Sequence, residues 1–264
     1  MMAEEEPVMA EEPAMAEEER APSLPVAEER EVEPTFSGEA MPEAAAEEPY
    51  AANEGAQTVL TNETLRIWVR RWHFPASRKY MPDISTWNTS QVTDMSGLFK
   101  VQINRETKKP YACQEKFNED ISSWDTSDVT SFSRIFANTD FNQDISNWDT
   151  GEVTNMYNAF QNAWEFNQDI SGWNTEKVVS MRQTFRLAKK FNQDISGWQI
   201  PLVNDMRGFL KQTEVFDQDL SGWDVTGVTQ CAQFILNAQS MSETKIPNFT
   251  KCNPNFENSS SDSN

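Results

Sequence analysis

The sequence predicts an α/β repeat solenoid: a stack of short parallel strands and short helices, closed at its N-terminal end by a capping helix. Three observations predict it. Tryptophan recurs in register, with Trp87, Trp124, Trp148, Trp173, Trp198 and Trp223 separated by 37, 24, 25, 25 and 25 residues. A whole phrase recurs around it, clearest as FNQDISNWDTGEVTNMYNAF from Phe141, FNQDISGWNTEKVVSMRQTF from Phe166 and FNQDISGWQIPLVNDMRGFL from Phe191. Finally, the few large apolar residues of one unit cannot offset the entropy of ordering about 25 residues, so units must bury one another's faces.

In chain order, residues 1–56 come first. They hold 17 Glu, no Asp and only Arg20 and Arg30 as cations. This Glu/Ala/Pro/Met composition has almost nothing to bury and predicts a disordered acidic tail. Residues 57–79 predict a capping helix. Thr61 stands at its N-cap, Leu65, Trp68 and Trp72 form an apolar stripe, and Arg66 and Arg70 lie on the polar face. The six-repeat solenoid follows over 80–239, its flanking copies starting at Tyr80, Phe117 and Phe216. The 37-residue gap places an insertion within 101–116. Residues 240–264 predict a C-terminal cap and a frayed Ser-rich end.

Within one unit, D-I-S-x-W is rich in β-branched and aromatic residues and predicts a strand and corner. The Thr after Val (Thr93, Thr130, Thr154, Thr229) is placed to cap a helix. Met156/Phe160 and Met181/Phe185, four residues apart, share a face of a two-turn helix. Cys231 takes the Met position and reads as a buried small apolar residue.

Charge and composition exclude several classes. The chain carries a formal charge of −20, most of it in the tail. Beyond residue 56 there are 20 basic and 25 acidic side chains, which argues against a nucleic-acid partner, since phosphate binding needs a basic face. Three cysteines do not make a disulfide scaffold, and whether Cys113, Cys231 and Cys252 pair is open. No stretch approaches the roughly 20 apolar residues of a membrane helix, and MMAEEEPVMAEEP does not read as a secretory signal.

The columns created by the repeat are the candidate sites. The Trp column reads as core. Asn118, Asn142, Asn167 and Asn192 read as satisfying corner backbone groups. Glu119, Gln143, Gln168, Gln193 and Gln218 alternate with them and are the candidate partner-binding face, with Trp164, which stands outside the Trp column, as its aromatic contact. Asp83, Asp120, Asp144, Asp169, Asp194 and Asp219 occupy one position in all six units. Each either accepts hydrogen bonds from its own corner or belongs to a file of cation sites, and the first reading is preferred because one carboxylate per unit is thin ligation for calcium. Arg134, Arg182, Arg186, Lys189, Lys190, Arg207 and Lys211 form a scattered basic set. His73, the single histidine, has no nucleophile or carboxylate dyad beside it in the pattern. No catalytic residue, cofactor or metal ligand is assigned, so the reading is not an enzyme.

The unit F-N-x-D-I-S-x-W, followed by V-T-x-M-x-x-x-F, resembles the repeat of the BspA-like leucine-rich-repeat surface proteins, over about residues 60–240. That resemblance implies a right-handed, leucine-rich-repeat-like stack displayed at a cell surface or outside the cell. It further implies a non-catalytic protein–protein interaction or adhesion module with a protein partner. The alternative is a glycan- or calcium-dependent surface or matrix protein.

Overall fold

The spacing of apolar residues within each copy sets where its backbone turns. The computed structural model describes residues 58–102 and 117–255, all within one compact unit, Tyr50–Asn264. The acidic segment 1–56, Cys113 with most of the 101–116 insertion, and residues 256–264 lie outside the described residues.

In D-I-S-x-W the Trp N–H donates to the Ile carbonyl three residues back, at 3.2 Å for Trp148 to Ile145 and 3.1 Å for Trp173 to Ile170. The Asp side chain sets this turn. In all six copies its Oδ1 accepts the Ser N–H two residues on, at 2.9–3.0 Å. A short carboxylate can do this because it stands in for the carbonyl of one more backbone turn. Ile and Trp, first and fourth in the turn, both point inward and are buried. A second turn closes from Thr150 to Val153 and from Thr175 to Val178 (3.0 and 3.1 Å), and again its end residues are buried.

Parallel pairing is therefore displaced from where the sequence suggests it. D-I-S-x-W uses its backbone groups locally, leaving few for a ladder. Among the described residues, pairing takes the form of single parallel bridges, joining Asp94, Ser131, Asn155, Ser180, Asp205 and Gln230 in succession. These residues directly precede the Met position.

The two-turn helix is also replaced. Met156, Asn158, Phe160 and Asn162 donate their N–H groups not to i−4 but to Ser180, Arg182, Thr184 and Arg186 of the next copy, at 2.8–3.0 Å. Met181, Gln183, Phe185 and Leu187 do the same to Asp205, Arg207, Phe209 and Lys211. The geometry comes from left-handed residues four apart: Asn158 and Asn162 (φ 56° and 58°), Gln183 and Leu187 (55° and 60°), Gly208 and Gln212 (60° and 62°). Each reverses the twist of the residues before it, so no helix propagates. Thr130 and Thr154 accordingly cap no helix. Their hydroxyls donate to the carbonyls of Thr93 and Thr130, at 3.0 and 3.2 Å.

Aromatic rings run through the core in files. Trp173, Trp198 and Trp223 stack at 6.5 Å intervals, and Phe141, Phe166, Phe191 and Phe216 at 6.5, 5.9 and 5.7 Å. Two different devices close the ends. Helix α1 (Asn62–Trp72) starts at a Thr61–Thr64 capping box and buries Leu65, Val69 and Trp72. Trp68 meets Trp87 edge-on at 5.1 Å. Arg66 donates to the Ser96 carbonyl (2.6 Å) and to the Asp94 carboxylate (2.9 Å), so outward carbonyls of the first copy find a donor. A four-residue helix, α2 (Pro75–Arg78), leads into the first copy. At the other end Met241 is buried, Phe249 meets Phe234 at 5.0 Å, and the Phe234 N–H donates to the Pro254 carbonyl at 3.1 Å. Cys231 is fully buried, as its place in the Met column suggests, and is disulfide-bonded to Cys252.

Candidate functional site

Most of the repeated polar side chains form ladders between copies. From the second copy on, each Trp indole N–H of the column donates one copy back, Trp148 to the Ile121 carbonyl and Trp173 to that of Ile145, both at 3.2 Å, whereas Trp87 donates to Pro82 within its own copy. Buried Thr hydroxyls donate one copy forward, Thr126 to the Asp149 carbonyl (2.8 Å) and Thr150 to that of Asn174 (3.0 Å). These bonds explain why a buried column tolerates polar atoms at all.

The Asn column completes a corner ladder. Asn118, Asn142 and Asn167 each accept at Oδ1 from the backbone N–H of the next Asn, at 2.7–2.8 Å, and Asn192 accepts from Asp217 at 3.0 Å. The candidate binding residues divide here. Gln168, Gln193 and Gln218 are half-buried, and each donates its amide to both oxygens of the preceding Asn, at 2.8–3.1 Å. Gln143 is half-buried in the same column and Glu119 is exposed. Trp164 is 51 % exposed, with the Lys189 ammonium 5.4 Å from its ring centre. The structure thus sets Trp164 apart from the Gln amides, which are engaged within the stack.

The Asp column lies on the surface. Asp83, Asp194 and Asp219 are held below the usual carboxylate range by the hydroxyls and then the N–H groups of Ser85, Ser196 and Ser221. In Asp120 and Asp169 the N–H and then the hydroxyl of Ser122 and Ser171 do the same. Repulsion between neighbours acts the other way, from Asp120 on Asp83 and from Asp169 on Asp194. Local hydrogen bonds outweigh it. Among the described residues no three His, Cys, Asp or Glu side chains gather as a metal site. His73 sits edge-on to Trp72 and Phe117, at ring separations of 6.1 and 6.2 Å, at the junction of the cap and the core.

The basic set divides by what its members meet. Lys189 pairs with Glu214, Lys190 with Glu165 and Arg207 with Asp205, while Lys211 donates to Gln233 at 2.8 Å. Arg134 and Arg182 lie over the ring of Tyr157, 4.9 and 5.5 Å from its centre. Sequence reading passed over Tyr157. The available signal was its position: the residue after the Met position is Ser96, Ser133, Tyr157, Arg182, Arg207 and Ala232 along the stack, a varying column beside one that stays apolar in every copy.

Ladders of this kind define a tandem-repeat protein whose copies are hydrogen-bonded each to the next. The family follows from comparison: a family model described as "Mycoplasma protein of unknown function, DUF285" matches residues 51–150 and again 137–249. The chain belongs to that family. Among the described residues no helix is long and apolar enough to cross a membrane. Neither curated proteins nor solved structures give a match.

Proposed function

We propose that the chain is a non-catalytic interaction or adhesion module, a solenoid of the BspA-like kind that binds a protein partner through its exposed, copy-variable residues. The observation that carries this reading is the division of labour among columns. Polar side chains common to the copies are committed to neighbouring copies, as the Trp, Thr, Asn and Gln bonds illustrate, or, for the Asp column, to their own turn. Several residues that change from copy to copy, the exposed Trp164 and the half-buried Tyr157 among them, reach the surface, and Trp, Tyr and Arg are the residue types that dominate protein interfaces. The Cys231–Cys252 disulfide favours display in an oxidising setting such as a cell surface.

Affinity capture from the native source with the full chain tests the reading, using wild type, Trp164→Ala and, as a control on another column, Lys177→Gln. A protein recovered with wild type and control but lost with Trp164→Ala supports it. Recovery indifferent to Trp164, or a soluble glycan displacing everything captured, would count against it.

A further inference from the structure

Four of the five buried polar side-chain atoms left without a hydrogen-bond partner among the described residues fall in one place. They are Asn158 Oδ1, Asn162 Oδ1, Arg182 Nε and Arg186 Nε. These residues form a two-by-two grid. Asn158 donates its backbone N–H to the Arg182 carbonyl and Asn162 to that of Arg186, so each Asn lies one rung from its Arg. The pattern repeats four residues along the strip. Asn158 is 5 % exposed, and the two arginines and Tyr157 are half-buried. Among the described residues neither arginine is in an ion pair, whereas Lys189, Lys190 and Arg207 beside them are. An unpartnered buried donor or acceptor is costly, and a native structure that keeps four together needs a reason.

We infer that Arg182 and Arg186, with Asn158, Asn162 and Tyr157, form a docking site for an acidic polypeptide segment whose carboxylates the two guanidiniums take. This deepens the interaction-module reading and rests on it, naming the partner's chemistry and the strip that receives it. Turning the Arg182 and Arg186 side chains outward brings each buried Nε–H onto a carboxylate together with an Nη–H, the planar fork that suits arginine, and uncovers the Asn oxygens. Backbone N–H groups of the same segment supply donors for the Asn oxygens. Arg134, Arg207 and Lys211 surround the grid, with Asp205 as the carboxylate that pairs Arg207, so the local field is positive on a molecule that is otherwise acidic. An acidic sugar polymer also carries carboxylates and hydroxyls. It is disfavoured because Tyr157 lies between Arg134 of the preceding copy and Arg182 of the following one, so guanidiniums occupy the ring a sugar would stack on.

The test measures binding of fluorescently labelled poly-L-glutamate to the full chain at low ionic strength, where charge contacts are least screened. Arg182→Gln with Arg186→Gln should weaken binding at least about tenfold, and Arg182→Lys with Arg186→Lys, which keeps the charge and loses the fork, at least about fivefold. Lys177→Gln, which removes an exposed cation paired with Glu152, should stay within about twofold. Matching thermal melts for all variants would show that folding is unaffected. The proposal is overturned if poly-L-glutamate does not bind, if the double Lys variant binds like wild type, or if polygalacturonate binds more tightly than poly-L-glutamate. Capture through Trp164 that survives the Gln pair would sink this site alone and leave the interaction module standing.

Discussion

Within the copy that runs from Phe166 to Lys190, residues 166–178 and residues 181–190 are tied to their neighbours by different chemistry. The first arc is joined largely through side chains: the Asn167 and Gln168 amides, the Trp173 indole and the Thr175 hydroxyl all bond across copies. The second arc is joined chiefly by main-chain N–H groups, four to the next copy, with the Thr184 hydroxyl donating to the Met156 carbonyl and Lys189 and Lys190 pairing with Glu214 and Glu165 as side-chain additions. Where side chains make the bonds, a substitution breaks one, and the phrase F-N-Q-D-I-S-G-W is repeated almost unchanged. Where the backbone makes them, the side chain is released to vary. The variable strip is where surface chemistry differs from copy to copy, and it is also where the orphan polar atoms collect.

Truncating the core of the first arc is the harshest way to test this contrast. Trp148→Ala removes a ring that is 3 % exposed and its bond to Ile121, and should cost about 3–5 kcal/mol in chemical denaturation. Trp164→Ala, at the end of the second arc, should cost under about 1 kcal/mol. Equal costs would erase the distinction between the arcs.

A smaller effect isolates the side-chain ladder. Asn167 Oδ1 accepts from the Asn192 N–H at 2.8 Å and from Gln193 at 3.1 Å, so Asn167→Ala leaves two donors without it. A loss of about 1–2 kcal/mol is expected. In the variable strip, Gln161→Ala, which keeps the backbone rung from Asn138, should change the unfolding free energy measured in urea by far less, within about 0.5 kcal/mol. If Gln161→Ala proved as costly as Asn167→Ala, the second arc would depend on its side chains after all.

Much of this architecture is legible in the sequence, and what is not has a physical reason. The copies, the α1 stripe and the Asn corner ladder follow from spacing alone. The helix and strand within each copy do not, because Met156 and Phe160 are both buried whether the segment is helical or coiled into turns. The telling residues are Gly97, Asn158, Asn162 and Gly208, types that accept positive φ, but Gln183, Leu187 and Gln212 adopt it too and obscure the signal. Gln212→Asn separates the alternatives. At φ 62° Asn is the easier residue, so the protein should gain about 0.5 kcal/mol; in a helix the same change would lose stability. The orphaned Asn and Arg atoms could not be read at all, since they depend on which rung of one copy faces which rung of the next.

The smallest effect expected concerns the Asp column of the first arc. Because the folded carboxyls of Asp83, Asp120, Asp169, Asp194 and Asp219 titrate below their ordinary range, the folded state binds fewer protons than the unfolded one in that window. Their stabilisation is therefore complete above the unfolded pKa of about 4 and fades as pH falls through the lowered folded values. These groups are exposed, so each contributes modestly and the loss on acidification should be shallow. Asp169→Asn, which still offers an oxygen to the Ser171 N–H, should flatten it further. The same geometry bears on calcium. Each carboxylate already accepts from its own Ser, so a cation would have to displace those bonds at every site to gain one ligand apiece. Calorimetric melts in EDTA and in millimolar calcium should superimpose within about 1 °C, since without tight binding there is no linkage to stability. A calcium-induced rise of more than about 5 °C would mean that the column binds the ion strongly in the native state. The first arc would then carry a ligand of its own, and the division between a structural arc and a recognising strip would no longer hold.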